Sequence, residues 1–195
     1  MKKILMTMVM ALVCVMTFAQ NADYKKAVAK YKSVNTLTAT ATRTTHKNAV
    51  AKDQVVSGTL YVKGSDKVLI ENGKDLLLMN GSKFTFKKGP VKASTNSNTN
   101  VQYKTFHDVL ESIFNGGQTD ISKNSDVDIA KKGANVVVTI TPKAGNKKMM
   151  FSSFVLTIDT KAQELRSIRL VQKGGYTDYT FSNFKLGASV SDAKF

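Results

Sequence analysis

The apolar positions change period along the chain. Tyr24, Ala27, Val28 and Tyr31 fall at i, i+3, i+4 and i+7, one stripe of an amphipathic helix with lysines opposite. Asn21 stands where such a helix wants its N-cap. From Thr36 the period becomes two. Leu37, Ala39 and Ala41 alternate with threonines in a strand reaching about His46, and Val56, Gly58, Leu60 and Val62 alternate within Gln54–Lys63. Two short apolar runs, Lys67–Glu71 and Asp75–Asn80, flank Asn72-Gly73-Lys74, and Asn80-Gly81 leads into Ser82–Lys87. Asn-Gly between apolar runs signals a hairpin, because both turn residues tolerate positive φ. The pattern predicts an antiparallel meander.

Lys88 to Asn100 is polar, with Gly89-Pro90 and a Ser/Thr/Asn tract, and reads as a loop. A second helix follows. Tyr103, Phe106, Leu110, Ile113 and Phe114 share one face with Val109 beside them, and Asn115-Gly116-Gly117 ends it. The last third returns to strands at about Asp126–Lys131, Asn135–Pro142, Lys148–Asp159, Glu164–Lys173 and Tyr176–Leu186. Met149, Met150 and Phe151 break the alternation, which implies apolar groups on both faces: either a helix packs on the far side, or methionine lines an irregular greasy surface. About ten antiparallel strands and two helices make an α+β, mainly β domain. Strands this numerous must curl to manage their edges, giving a strongly curved antiparallel sheet whose concave face the two helices cover.

The N-terminus changes the compartment. Lys2 and Lys3 precede the apolar run Ile4–Phe18, and Thr17-Phe18-Ala19 supplies small residues before Gln20. That is the pattern of a secretory signal spanning residues 1–19, cleaved to leave one domain over 20–195. The run is shorter than the roughly 20 residues a membrane helix needs. Lipid anchoring at Cys14 is the rival, and Val13 before it is a poor fit. Cleavage after Ala19 removes that cysteine, and with it disulfides, thiolate metal sites and cysteine nucleophiles.

Net charge is +15, or +13 once Lys2 and Lys3 are set aside. Of the 29 basic residues all but Arg43, Arg166 and Arg169 are lysines, scattered rather than clustered. Nucleic-acid surfaces concentrate basic residues and favour arginine's planar fork, so no nucleic-acid partner is expected. A solvated basic surface near anionic membrane is the plainer reading. Catalytic chemistry has little to start from. His107 and Glu111 lie four apart near Asp108, but a metal site wants three or four convergent ligands, so this reads as a solvated helix face. His46 ends a polar strand. No serine is singled out as a nucleophile, and Gly145-Asn146-Lys147-Lys148 lacks phosphate-loop spacing. No catalytic residue, metal or cofactor is expected.

Several segments, in order, resemble the bacterial outer-membrane lipoprotein carrier family (LolA-like). Ser57-Gly58-Thr59-Leu60-Tyr61-Val62-Lys63 is similar to its glycine-x-leucine-x-valine-lysine strand, and Glu71-Asn72-Gly73-Lys74-Asp75-Leu76 to its following hairpin. Val138-Thr139-Ile140-Thr141-Pro142-Lys143-Ala144 resembles the strand ending in threonine-proline-lysine. Ile158-Asp159 through Ile168, Tyr179 to Phe184 and Ser191-Asp192-Ala193-Lys194-Phe195 resemble its last strands. The likeness covers nearly all of 21–195. Family members usually carry an arginine-proline pair after the valine-lysine strand. Here Gly64-Ser65 follow, so no role passes to that position. Members also continue past the segment at which this chain stops, Phe195.

The resemblance implies an unclosed β-barrel with helices as a lid over an apolar cavity. It implies a monomeric periplasmic carrier for acylated lipoproteins or another lipid, with an inner-membrane release complex and an outer-membrane receptor as partners. The expected cavity draws on Leu69, Leu77, Met79, Phe84 and Phe86 of the meander, Leu110, Ile113 and Phe114 of the lid helix, and Met150, Phe154 and Leu156 of a late strand. Each of these also suits ordinary core packing. A non-enzymatic envelope sensor of related fold is the main alternative, with an envelope hydrolase and a purely structural envelope protein behind it.

Overall fold

A computed structural model describes residues 22–143 and 151–195. The expected signal, Asn21, the Gly145–Lys148 turn, Met149 and Met150 lie outside the described residues. Helix α1 covers residues 22–28 and tightens into a 3-10 turn, Ala29–Ser33. Strands β1 (Thr36–Lys47), β2 (Gln54–Lys63), β3 (Lys67–Asn72), β4 (Asp75–Asn80), β5 (Lys83–Lys88) and β6 (Val91–Asn96) follow. Helix α2 (Val101–Phe114) precedes β7 (Ser125–Lys132), β8 (Asn135–Pro142), β9 (Ser153–Asp159), β10 (Glu164–Gln172) and β11 (Gly175–Leu186).

The eleven strands form one antiparallel sheet in the order β6-β5-β4-β3-β2-β1-β11-β10-β9-β8-β7. The chain builds outward from β1 to the edge at β6, crosses by α2 to the opposite edge at β7, and returns to pair β11 with β1. Since β6 and β7 do not pair, the sheet curls without closing. One expectation needs correction. The segment read as a loop contains β6, which pairs with β5 from Lys88↔Val91 to Lys83↔Asn96. Its first four residues are exposed, so no apolar alternation marks it. In the late strand, β9 starts at Ser153 and buries Phe154, Leu156 and Ile158 on one face, with Val155 half-buried on the other.

Turns fall where Asn-Gly stands, with Gly73 at φ 63° and Gly81 at φ 55°, in the region glycine tolerates best. Gly58 serves a different need. A Cβ there would stand 1.7 Å from the Glu71 carbonyl oxygen, so the coil of β2 against β3 requires a bare Cα.

One hydrophobic core fills the concave side. It joins Leu37, Ala39 and Ala41 of β1 to Val136, Val138 and Ile140 of β8 through the strands between, and to α1 and α2. Strand β3 buries side chains on both faces. Val68 and Ile70 enter this core, while Leu69, 2 % exposed, lies outside it on the opposite face. The C-terminal segment runs along that face. Asp192 accepts from Lys63 and Lys67 at 2.6 and 2.8 Å, Lys194 bonds Glu71 at 3.0 Å, and Asn80 donates to the Phe195 carbonyl at 3.1 Å. Lys194 Nζ stands 4.5 Å from the centroid of Tyr61, the register partner of Leu69.

Candidate functional site

Helix α2 begins with Asn100, whose side chain accepts from the Gln102 N–H at 3.2 Å. Its apolar stripe lies on the concave face in a run of rings. Tyr103 stands 5.3 Å from Phe86 and 5.5 Å from Phe84, and Phe106 stands 5.8 Å from Phe84 and stacks on Phe154 at 5.4 Å. Phe151 completes it, 5.7 Å from Phe154. These separations suit offset and edge contacts between rings.

Beside this row is a cavity of about 330 Å³. Ile70, Leu77, Phe86, Tyr103, Phe151 and Leu170 give it apolar walls. It opens at the sheet end where β1 passes to β2, β3 to β4, β5 to β6 and β10 to β11. Lys47, Lys87 and Lys88 stand there with Arg43 and Asp75. Arg43 donates to Asp75 at 2.7 Å, and the Gly89 N–H reaches the other carboxylate oxygen at 2.8 Å. That backbone bond, joined by Arg43, holds the Asp75 carboxyl below the usual range. Arg43 Nε is buried without a hydrogen-bond partner among the described residues.

Of the eleven residues expected to line a cavity, Leu77 and Phe86 do so. Met79, Phe84, Leu110, Ile113, Phe114, Phe154 and Leu156 are at most 3 % exposed and pack in the core around it. Leu69 is on the other face, and Met150 lies outside the described residues. The cavity is also lined by Ile70, Tyr103, Phe151, Leu170 and Tyr179, which the expected set did not include. Phe151 was signalled by the Met-Met-Phe run, Tyr103 by the helix stripe and Ile70 by the apolar run of its strand; nothing marked the other two as cavity-lining.

The polar side of α2 is not a solvated face. Gln102, Thr105, Asp108 and Ser112 are all buried, because the chain after the helix folds back along it. Ser125 Oγ donates to Thr105 Oγ1 at 3.3 Å, Asn124 to Asp108 at 3.2 Å, and Ser112 Oγ to the Thr119 carbonyl at 2.9 Å. Burial pushes the Asp108 carboxyl up, but bonds from His107, Lys104 and Asn124 outweigh it and hold the group below its ordinary value. His107, Asp108 and Glu111 do bring ligand atoms within 4.8 Å of one another. Their carboxylates are already engaged, Asp108 by Lys104 at 2.6 Å and Glu111 by Thr119 at 3.0 Å.

Helix α1 anchors the far end of α2. Tyr24 donates to Ser112 Oγ at 3.0 Å, and Tyr31 accepts the Leu165 N–H at 3.0 Å while meeting Phe114 edge-on at 5.6 Å. Burial pushes both phenols up to about 12. A hollow of about 490 Å³ lies between α1, residues 117–122 and β7, with Lys25, Gln118, Thr119, Asp120 and Ser122 among its lining. It is the larger of the two, but it lacks the continuous apolar wall of the α2 cavity.

No curated protein matches the chain. Several solved structures are similar to it over most of its length. A putative outer membrane lipoprotein-sorting protein domain from Vibrio parahaemolyticus is 10 % identical, with 89 % of this chain and 93 % of that one covered and a TM-score of 0.47. A LolA superfamily protein from Nitrosomonas europaea is 9 % identical over 88 % and 94 %, with a TM-score of 0.43. The lipoprotein LppX of Mycobacterium tuberculosis is 13 % identical over 89 % and 97 %, with a TM-score of 0.39. Function does not follow from likeness at this level. The family described as outer membrane lipoprotein carrier protein LolA matches residues 32–195, and with the unclosed sheet and helix-covered concave face this chain belongs to that family.

Proposed function

We propose that the protein is a periplasmic, non-enzymatic carrier that shields the acyl chain of a lipoprotein or a related lipid between the inner and outer membranes. The observation that carries this reading is the cavity of about 330 Å³ between α2 and an unclosed sheet, walled by Leu77, Phe86, Tyr103 and Phe151. Family membership over residues 32–195 supports it.

The energetics fit the task. Each exposed CH₂ costs roughly 0.8 kcal/mol in water, so a chain crossing an aqueous compartment needs an apolar enclosure. A water claims about 30 Å³ in the liquid, so the resting cavity holds roughly ten groups of that size, the scale of one acyl chain. Larger cargo requires α2 to lift, which would add Phe84, Leu110, Phe154 and the rest of the buried set to the walls. Release at the acceptor is helped because binding rests on apolar contact rather than on strong polar bonds.

Titration with a fluorescent long-chain fatty acid tests the reading. Phe86→Asp should weaken binding about tenfold or more, since burying a phenylalanine side chain is worth roughly 1.5–3 kcal/mol. Phe86 is half-buried, so the fold should survive. Saturable binding that Phe86→Asp leaves unchanged would place the ligand elsewhere, and no binding by the parent protein would refute a carrier.

A further inference from the structure

Away from the cavity mouth some lysines are paired, Lys63 and Lys67 with Asp192 and Lys30 with Glu164, while Lys83, Lys131, Lys132 and Lys161 are exposed and in no salt bridge among the described residues. At the mouth, four hairpin turns of the described residues span eight contiguous strands, from β6 to β10. They carry Lys47 and Lys52, Lys74, Lys87 and Lys88, and Lys173, all exposed, and among the described residues none of these six is in a salt bridge. The two carboxylates on these turns are already committed, Asp53 to His46 at 2.7 Å and Asp75 to Arg43.

The exposed apolar residues concentrate at the mouth. Val50 at 49 %, Val55 at 62 % and Val91 at 66 % sit on or beside the β1–β2 and β5–β6 turns, three of the five exposed large hydrophobic side chains among the described residues. Exposed lysines are well solvated in water alone, so the distinguishing feature of this rim is their interleaving with exposed valines beside the cavity mouth. Both find partners at a lipid interface, where anionic headgroups attract the lysines and the acyl boundary takes the valines.

We propose that this end of the barrel docks onto a membrane surface rich in anionic phospholipid, bringing the cavity mouth against the lipid. An acyl chain then passes between bilayer and cavity over a short, shielded path. The inference concerns the rim and does not depend on which lipid the cavity holds. Attraction is electrostatic first, with each lysine near the surface worth about fivefold in affinity, and it weakens as salt shortens the screening length.

The experiment is co-sedimentation of the purified protein with vesicles of phosphatidylcholine alone or with phosphatidylglycerol added. Two variants of equal net charge are compared with the parent. One reverses rim lysines outside the cavity lining (Lys52→Glu, Lys74→Glu, Lys173→Glu). The other reverses exposed lysines at the opposite end (Lys83→Glu, Lys131→Glu, Lys161→Glu). The parent should bind only the anionic vesicles, lose binding as salt rises, and lose more than tenfold in the rim variant but less than threefold in the other. Failure of the parent to bind anionic vesicles, or equal losses in the two variants, overturns the proposal. Fatty-acid titration in solution, run beside it, keeps the carrier reading separate and reports that each variant is folded. A rim variant that still takes up fatty acid has lost the membrane alone.

Discussion

At the scale of single residues, burial divides the apolar side chains into three groups with different consequences. Phe86 and Leu77 face the cavity, Phe154 and Phe84 are sealed in the core, and Leu69 is sealed on the opposite face. Leu69→Ala should cost about 2–5 kcal/mol of stability, the usual range for a buried leucine, and leave fatty-acid affinity unchanged. Denaturant unfolding and the fluorescent titration check the two halves; a parallel loss of affinity would return Leu69 to the cavity. This residue also marks a limit of sequence reading. Period two tells which side chains share a face, and Val68, Leu69 and Ile70 are all apolar, so the alternation cannot say which face is inside. The segment held along that face by Lys63, Lys67 and Glu71 is more than a hundred residues away in the chain, which no local pattern reveals.

At the scale of elements, both helices and ten of the eleven strands were legible, because each carries its own periodicity or a turn signal. Strand β6 was not, since an exposed edge strand needs no apolar side chains. The polar stripe of α2 misled in another way: Thr105, Asp108 and Ser112 look like a solvent face but bond the returning segment at Ser125, Asn124 and Thr119. That contact makes the lid testable. Thr105→Cys with Ser125→Cys joins α2 to β7 where the parent hydroxyls are 3.3 Å apart, and removal of Cys14 with the expected signal leaves no competing thiol. Oxidised, this variant should lose uptake of long-chain fatty acid by about tenfold and regain it on reduction. Uptake unaffected by the cross-link would mean that α2 does not move.

The C-terminal segment is held by charge, with a defined pH window. Bonds from Lys63 and Lys67 hold the Asp192 carboxyl at about 2. A depressed folded-state value stabilises the fold above the unfolded value, near 3.9, and that contribution is lost as pH falls through about 2. Lys67 and Lys194 are raised by their bonds to Asp192 and Glu71, so their contributions are lost only in strong base. NMR signals of Val190 should keep their native positions from neutral pH to about 4 and leave them between 4 and 2, with Val138 of the core as reference. Departure at pH 5 or above would contradict this assignment of Asp192.

At the scale of the whole molecule, one geometric fact organises the rest. An eleven-stranded sheet that fills outward from β1 and returns from the far edge leaves β6 and β7 unpaired with each other, and α2 crosses between them. A closed barrel would have a fixed interior. This one has a wall that a helix completes, and the proposed carrier role has the cavity change size as that helix moves. Native mass spectrometry of protein purified gently from the cell envelope tests that claim most directly. The account predicts a bound acyl species at one per protein, which delipidation removes and a long-chain fatty acid replaces. Protein that emerges without ligand and stays without it when fatty acid is supplied in excess would contradict it.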